Sequence, residues 1–338
     1  MLPHIKNAAR RAAEIYQDSG AKARVEHDGY TRVDPFLIAG REGVPVLLRP
    51  MDKLLGAFIR DEVSGILVNS ERSAGLIHLT CAHELGHYFM GHGTTADDSM
   101  EFGPKVERQE QEADWFAYQL LTSRSLLANI MRRKGWSIQS LKHPVTLYQL
   151  SLRLGISYTA TAWSLARQKL LHTGEVKELL KIQPIDIKQA LLKGQNFESR
   201  REVWLLDESD RASVLEPRAD DQVLVRLRSN ASSGYLWSLT ELASEGFQIR
   251  PISCRTEEVV DPRQIVFGAA TAEFLLTYDD PASLPDGETR AFSMQEQRPW
   301  LKGGEAIATF ETRAKFEQIE PGLTRVAKRN LLSEASIA

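Results

Sequence analysis

The most constraining stretch of this 338-residue chain is His83-Glu84-Leu85-Gly86-His87. Residues four apart on a helix lie about one turn apart on one face, so His83 and His87 can aim both imidazoles at one point. Such a pair reaches a Zn²⁺ ion at ~2.0–2.1 Å, and a catalytic zinc keeps one coordination position open for water. Glu84 adjoins the first histidine and points to the side where that water would sit, as a general base must. The pattern demands a helix, and its surroundings supply one. Leu76, Leu79, Ala82, Leu85 and Phe89 recur at helical spacing around the polar face. Gly91-His92-Gly93 ends the stretch with a left-handed glycine cap, so a helix is expected from about Leu76 to His92. Gly86 is small enough to let another element approach it.

Two imidazoles need a third ligand. A polar loop through Thr94, Asp97 and Asp98 to Pro104 precedes a second expected helix, from about Val106 to Leu121. It carries Glu107, Glu110 and Glu112. Glu110 and Asp114 are four apart, so both can face the site. Glu110 is expected to bind metal, and Asp114 to hydrogen-bond the far nitrogen of a metal-bound imidazole. Ala113 lets the two helices pack closely. Glu107 is the alternative ligand. At ~100° per residue Glu112 lies roughly 160° from Glu110 and is expected to face solvent. The cofactor expected is one Zn²⁺ per chain.

Net charge, formally -3, gives no general pull toward nucleic acid or an anionic membrane, so DNA is not an expected partner. No run reaches the ~18–20 apolar residues of a membrane span, and no membrane partner is expected. The start of the chain leads into a charged helical stretch with Glu14 and Asp18 rather than an apolar signal. The two cysteines, Cys81 and Cys254, read as free thiols of a reducing, cytoplasmic setting.

At 338 residues the chain should hold two or three domains. Residues 3–19 read as a helix closed by Gly20, and Asp34-Pro35 opens a short helix over Phe36–Ala39. Runs 44–48 and 65–69 suggest a small sheet ahead of the histidine helix. Residues 124–195 stay helical in pattern. Within them Leu147–Ser157 reads as helix, glycine turn, helix: either a helix-turn-helix or a plain hairpin closing the core. Past Gly194, period-two runs at 222–227 and within 265–278 and 306–316 argue an antiparallel sandwich. The expected domains are 1–125, 126–195 and 196–316, with a charged, helical tail at 317–338 that gives no functional signal.

Leu79-Thr80-Cys81-Ala82-His83-Glu84-Leu85-Gly86-His87-Tyr88, followed by Glu110 through Leu121, resembles the ImmA/IrrE metallopeptidases, whose pattern is close to T-x-A-H-E-L-G-H-Y and then E-x-x-A-(N/D)-x-F-A-x-x-L-L. The likeness runs from the first helix to about residue 175. It implies a gluzincin-like zinc endopeptidase core, a helix-turn-helix-like segment behind it, and cleavage of helix-turn-helix repressors in bacterial and phage stress switches. Thr122-Ser123 stands where the family often has Met-Pro, so the loop rimming the cleft departs from the pattern.

A second resemblance lies over about residues 220–316. Asn230-Ala231-Ser232-Ser233-Gly234-Tyr235-Leu236-Trp237 looks like the N-P-T-T-G-Y-x-W loop of chagasin-like inhibitors of papain-type cysteine peptidases. Phe267-Gly268-Ala269-Ala270 lies where those proteins carry a glycine-containing loop, and Arg298-Pro299-Trp300 matches their R-P-W motif. Ala231 replaces the loop's proline, removing its stiffening. The resemblance implies an immunoglobulin-like sandwich presenting Asn230, Ser232, Ser233, Gly234, Tyr235, Gly268, Arg298, Pro299 and Trp300 to another protein. Otherwise Gly234 makes a turn, and Tyr235, Trp237 and Trp300 are core aromatics. The expected fold class is therefore α+β multidomain: a gluzincin-like, mainly helical zinc peptidase with a small sheet, a helical helix-turn-helix-like segment, and a C-terminal immunoglobulin-like β-sandwich. The expected partners are a protein substrate such as a helix-turn-helix repressor and, through the C-terminal loops, a papain-like peptidase. The competing functions are a non-catalytic regulator or sensor and a cysteine-peptidase inhibitor.

Overall fold

Helix α1 (Pro3–Asp18) starts on proline, whose missing N–H costs nothing in a first turn, and buries Ile5, Ala8, Ala12, Ile15 and Tyr16 along one face. The computed structural model describes residues 2–97, 107–195, 198–240, 244, 246–255, 270–278, 289–301 and 305–335. Two units divide the chain: 1–132, 137–181 and 319–338 form the first, and 133–136 with 182–318 the second. Among the described residues, no helix is long and apolar enough to cross a membrane.

In the first unit, α2 (Ala21–Glu26) is followed by α3 (Pro35–Arg41). The Asp34 carboxylate caps α3 by accepting from the Phe36 and Leu37 amides at 2.9 and 3.2 Å. Strands β1 (Val46–Arg49), β2 (Gly56–Ile59) and β3 (Gly65–Asn69) lead into α4 (Ala74–Met90), which carries His83, Glu84 and His87. A short β4 (Thr95–Asp97) and then α5 (Arg108–Leu121) follow. β1 runs parallel to β3, while β2 lies antiparallel to both β3 and β4. β2 and β4 carry no strand signal of their own: Gly56-Ala57-Phe58-Ile59 is short and lacks alternation, and β4 lies in the expected loop.

α4 packs against β2, β3 and α5. Every residue from Ile77 to His87 is buried. Its composition does not favour a helix, since an interior glycine such as Gly86 costs about 1 kcal/mol against alanine. Burial of Ile77, Leu79 and Leu85 at about 1.5–3 kcal/mol each outweighs that cost, so packing holds the site-bearing helix in place.

Helices α6 (Arg124–Lys134), α7 (Pro144–Leu154), α8 (Tyr158–Arg167) and α9 (Thr173–Leu179) continue the helical stretch. Gly155, at φ +69°, makes the turn between α7 and α8. α8 buries Tyr158, Ala160, Thr161, Ala162, Ser164 and Leu165.

The second unit begins with α10 (Pro184–Leu192), β5 (Val203–Leu206), β6 (Val214–Leu215), β7 (Gln222–Ser229) and β8 (Leu236–Leu239). It continues with β9 (Phe247–Arg255), β10 (Ala270–Tyr278), β11 (Arg290–Gln297) and β12 (Ala308–Ala314). Two four-stranded sheets result, ordered β5-β7-β10-β9 and β6-β12-β11-β8. Phe247 of the first sheet meets Phe292 of the second, with ring centroids 5.8 Å apart. The sheets are mixed rather than purely antiparallel. One segment, 203–215, crosses from one sheet to the other and adds a short edge strand to each, β5 parallel to β7 and β6 parallel to β12. Lys134 joins that segment through Asp207 and Asp210, at 2.8 and 2.6 Å.

The chain then returns to the first unit. β13 (Gly322–Leu323) extends its sheet, antiparallel to β1, giving the order β13-β1-β3-β2-β4. α11 (Arg325–Ala335) packs on α3, where the Asn330 side-chain amide donates to the Gly40 carbonyl at 2.7 Å.

Candidate metal centre

One turn of α4 separates His83 from His87, and both rings point toward α5. Their Nε2 atoms lie 3.1 Å apart. Glu110 on α5 closes the triangle, with Oε2 at 3.1 Å from His83 Nε2 and Oε1 at 3.5 Å from His87 Nε2. Among the described residues, these three form a group that could hold a metal ion. Ligands on ~2.05 Å legs in a tetrahedral site stand about 3.35 Å apart, so the observed edges suit zinc. The donor set, two imidazoles and one carboxylate, is also one that zinc takes in catalytic sites.

The outward nitrogens are occupied. His83 Nδ1 donates to Asp114 Oδ1 at 3.0 Å, which leaves its Nε2 for the point of convergence. His87 Nδ1 lies 2.9 Å from His92 Nδ1. His92 Nε2 in turn lies 3.0 Å from Glu112 Oε2, and Arg108 Nε donates to Glu112 Oε1 at 2.8 Å. Glu112 is therefore not a solvent-facing acid; its exposure is 6%. The helical-wheel angle separated it correctly from Glu110, but the chain beyond α4 folds back over that side of α5. Gly91, at φ +77°, makes the reversal, and the His92 amide bonds to the His87 carbonyl at 3.0 Å. Glu107 sits exposed before the first turn of α5, outside the cluster.

The environment favours an ionised Glu110. Burial alone would raise its pKa, but hydrogen bonds from His83 and His87 prevail and hold the carboxyl well below the usual range. Burial likewise opposes ionisation of Glu112, and the bonds from Arg108 and His92 outweigh it. Burial lowers the His92 pKa from its ordinary value. Burial also pushes the Cys81 thiol well up, leaving it an inert core residue.

Two glycines set the spacing. A Cβ on Gly86 would lie 2.8 Å from Ala113 Cα and 2.9 Å from its carbonyl oxygen, so glycine is what lets α4 and α5 approach. A Cβ on Gly56 of β2 would lie 2.5 Å from Glu84 Oε1. The fully buried Glu84 carboxylate thus occupies space that only glycine leaves on the sheet side. The Thr122 hydroxyl donates to the Tyr118 carbonyl at 2.6 Å at the end of α5. The Ser123 hydroxyl accepts from the Leu126 amide at 3.3 Å as α6 begins.

In the second unit, the loop at 230–235 and the segment 298–300 come together. Gly234 turns with φ +82°, and the Trp300 ring covers the place where its Cβ would be. The Arg298 guanidinium lies 4.6 Å from the Tyr235 ring centroid. Buried Glu296 accepts from the Asn230 side chain at 2.8 Å and anchors the loop's start. Ser232, Ser233 and Pro299 are exposed. Trp300 is 63% exposed, so it is no core aromatic. Gly268 lies outside the described residues.

No curated protein sequence matches the chain. Among solved structures, the cysteine protease inhibitor EhICP2 from Entamoeba histolytica is 18% identical at a TM-score of 0.27, the likeness covering 36% of this chain and 100% of that one. The solution structure of Amebosin is 14% identical at a TM-score of 0.25, covering 34% of this chain and 98% of its own. Both are chagasin-like, and the likeness falls on the C-terminal region. Residues 39–165, which carry α4, α5 and the histidine–glutamate cluster, match the peptidase M78 family through its IrrE N-terminal-like domain.

Proposed function

We propose that this chain is a zinc-dependent endopeptidase of the ImmA/IrrE type that cleaves a regulatory protein, such as a helix-turn-helix repressor, in the cytoplasm. The observation that carries the reading is the convergence of His83 Nε2, His87 Nε2 and the Glu110 carboxylate, with each imidazole's other nitrogen already engaged. When bound, Zn²⁺ supplies Lewis acidity, polarising a peptide carbonyl and lowering the pKa of water. His83, His87 and Glu110 hold it, and Asp114 fixes the ring of His83. Glu84 takes a proton from the attacking water and delivers it to the leaving amine. Its burial against Gly56 keeps the carboxylate in one place. On this reading the first unit is a gluzincin-like core, 1–125, followed by a helical segment, 126–195.

The test is direct. Glu84→Gln should retain zinc, lose cleavage and trap its substrate on co-purification. Glu110→Ala should lose zinc, while Glu107→Ala keeps it. Wild-type cleavage by Glu84→Gln would overturn the mechanism, and sequence-specific DNA binding without any proteolysis would favour a non-catalytic regulator.

Exposed Trp300, seated on Gly234, favours a second function for the same chain. The second unit would be an immunoglobulin-like sandwich whose loops, with Tyr235 and Trp300 as anchors, bind another protein. Buried aromatic anchors carry most of the energy at such interfaces. The partner is either the substrate of the zinc site, whose effective concentration tethering raises to about mM, or a papain-like peptidase. Inhibition of papain-like enzymes by the full chain, lost in Trp300→Ala, would identify an inhibitor. Impaired substrate cleavage in the same variant would identify recruitment.

A further inference from the structure

The two histidines of the cluster are backed differently. His83 meets a carboxylate directly, whereas His87 meets a second imidazole. Once His87 Nε2 presents its lone pair to the point of convergence, its proton must sit on Nδ1. The partner at 2.9 Å is His92 Nδ1, which must therefore accept. That places the His92 proton on Nε2, where it faces Glu112 Oε2 at 3.0 Å. Arg108 Nε donates to the other oxygen of Glu112 at 2.8 Å. Each nitrogen along the line then has one role, and the whole chain has one consistent arrangement of protons. His87, His92 and Glu112 are all buried, so none of these groups can turn to water instead.

We propose that His92 and Glu112 are positioning residues for His87, locking it as the Nδ1–H tautomer and fixing its ring through a His87–His92–Glu112 line. This rests on the reading of His83, His87 and Glu110 as zinc ligands. His92 is placed by the glycine reversal that ends α4, and Glu112 lies on the same helix as Glu110. One element, α5, thereby supplies a ligand, the support for one histidine through Asp114, and the support for the other through Glu112 and His92.

The test uses the full chain and zinc competition with a chromophoric chelator, alongside the visible absorption of the Co²⁺-loaded protein. His92→Phe keeps the ring volume and removes the acceptor, and should weaken Zn²⁺ about 10–100-fold, the usual loss for a partner behind a metal ligand. It should also alter the Co²⁺ ligand-field bands at saturation. His92→Gln offers a carbonyl to His87 and an amide to Glu112, and should recover most of the affinity. Glu112→Gln decides the matter should His92→Phe fail to fold, because it cannot accept from both His92 and Arg108; it should also weaken zinc about 10-fold. Wild-type zinc affinity and Co²⁺ spectrum in His92→Phe, or in Glu112→Gln where that variant decides, overturn the proposal. If Glu110→Ala abolishes zinc binding while the His92 variants leave it unchanged, the positioning role alone fails. If Glu110→Ala keeps its zinc, the ligand reading beneath it fails first.

Discussion

Gly86→Ala adds one methyl group and should cost the site most of an order of magnitude in zinc affinity. The new Cβ would lie 2.8 Å from Ala113 Cα and 2.9 Å from the Ala113 carbonyl oxygen. Carbon atoms rest at about 3.5–4.0 Å, so α4 and α5 must separate by about 0.7 Å. Both obstacles are backbone, which cannot swing aside as a side-chain tip does. His83 and Glu110 ride on opposite helices at 3.1 Å, and the same separation takes them to about 3.8 Å. A tetrahedral pair on ~2.05 Å legs spans only about 3.35 Å, so zinc would need legs near 2.3 Å or an angle opened by roughly 25°. Overpacking of this kind costs about 1–3 kcal/mol, and tenfold in affinity is about 1.4 kcal/mol. Rotation of the partly exposed Glu110 absorbs some of the displacement, which places the expected loss near tenfold. The assay is chelator competition on wild type and variant, with thermal melting of both apo-proteins to separate strain that the helices have already relaxed from strain that zinc must reverse. A variant with Kd within twofold of wild type and an unchanged Tm would refute the reasoning, because the methyl group would then have found room that the helix spacing does not contain.

Gly56→Ala makes the complementary perturbation. Its Cβ meets Glu84 Oε1 and Thr80 rather than a metal ligand, so zinc content should hold while kcat falls about 100-fold, the cost of displacing a catalytic group by ~1 Å; retained kcat would remove Gly56 from the site. Lys134→Met removes the ammonium paired with the fully buried Asp210 and the half-exposed Asp207, and should destabilise the second unit by about 3–5 kcal/mol in urea unfolding. Burial raises and Lys134 more than offsets the pKa of Asp207, leaving it below its ordinary value. That contribution is present above the unfolded pKa of ~3.9 and is lost as pH falls through the folded value, so the gap between wild type and variant should narrow below about pH 4; a gap constant with pH would contradict the pairing. Trp300→Ala should change stability by no more than ~0.5 kcal/mol, since the ring is mostly exposed, while lowering affinity for whatever the loops bind by at least about tenfold.

What could be read from the residues divides along physical lines. The turn-spaced His83 and His87, and Glu110 with Asp114, were legible because helical periodicity alone puts each pair on one face, and the structure brings those faces together. The same geometry points Glu112 to solvent, whereas the structure buries it. Periodicity gives the angle between two residues on a helix but not what the rest of the chain lays against it, and here His92 covers that face. A signal did exist: His92 stands five residues past His87 between Gly91 and Gly93, where a reversal returns the chain toward its own helix. The β-strands without a signal in the sequence share another cause. β13 is two residues long and owes its existence to β1, some 275 positions earlier, so nothing local marks it. β5 and β6 are likewise defined by the sheets they join rather than by their own alternation. The tail 319–338, without functional signal in its sequence, thereby closes one edge of the sheet on which α4 packs. Since β1 pairs with β3, and β3 packs on α4, removal of β13 and α11 should loosen the same sheet that holds Gly56 against Glu84. Truncation after residue 318 is therefore expected to lower the apo-protein's Tm and weaken catalysis while leaving His83, His87 and Glu110 on their helices able to take up zinc; a truncated chain with wild-type Tm and turnover would show that the returning strand is dispensable.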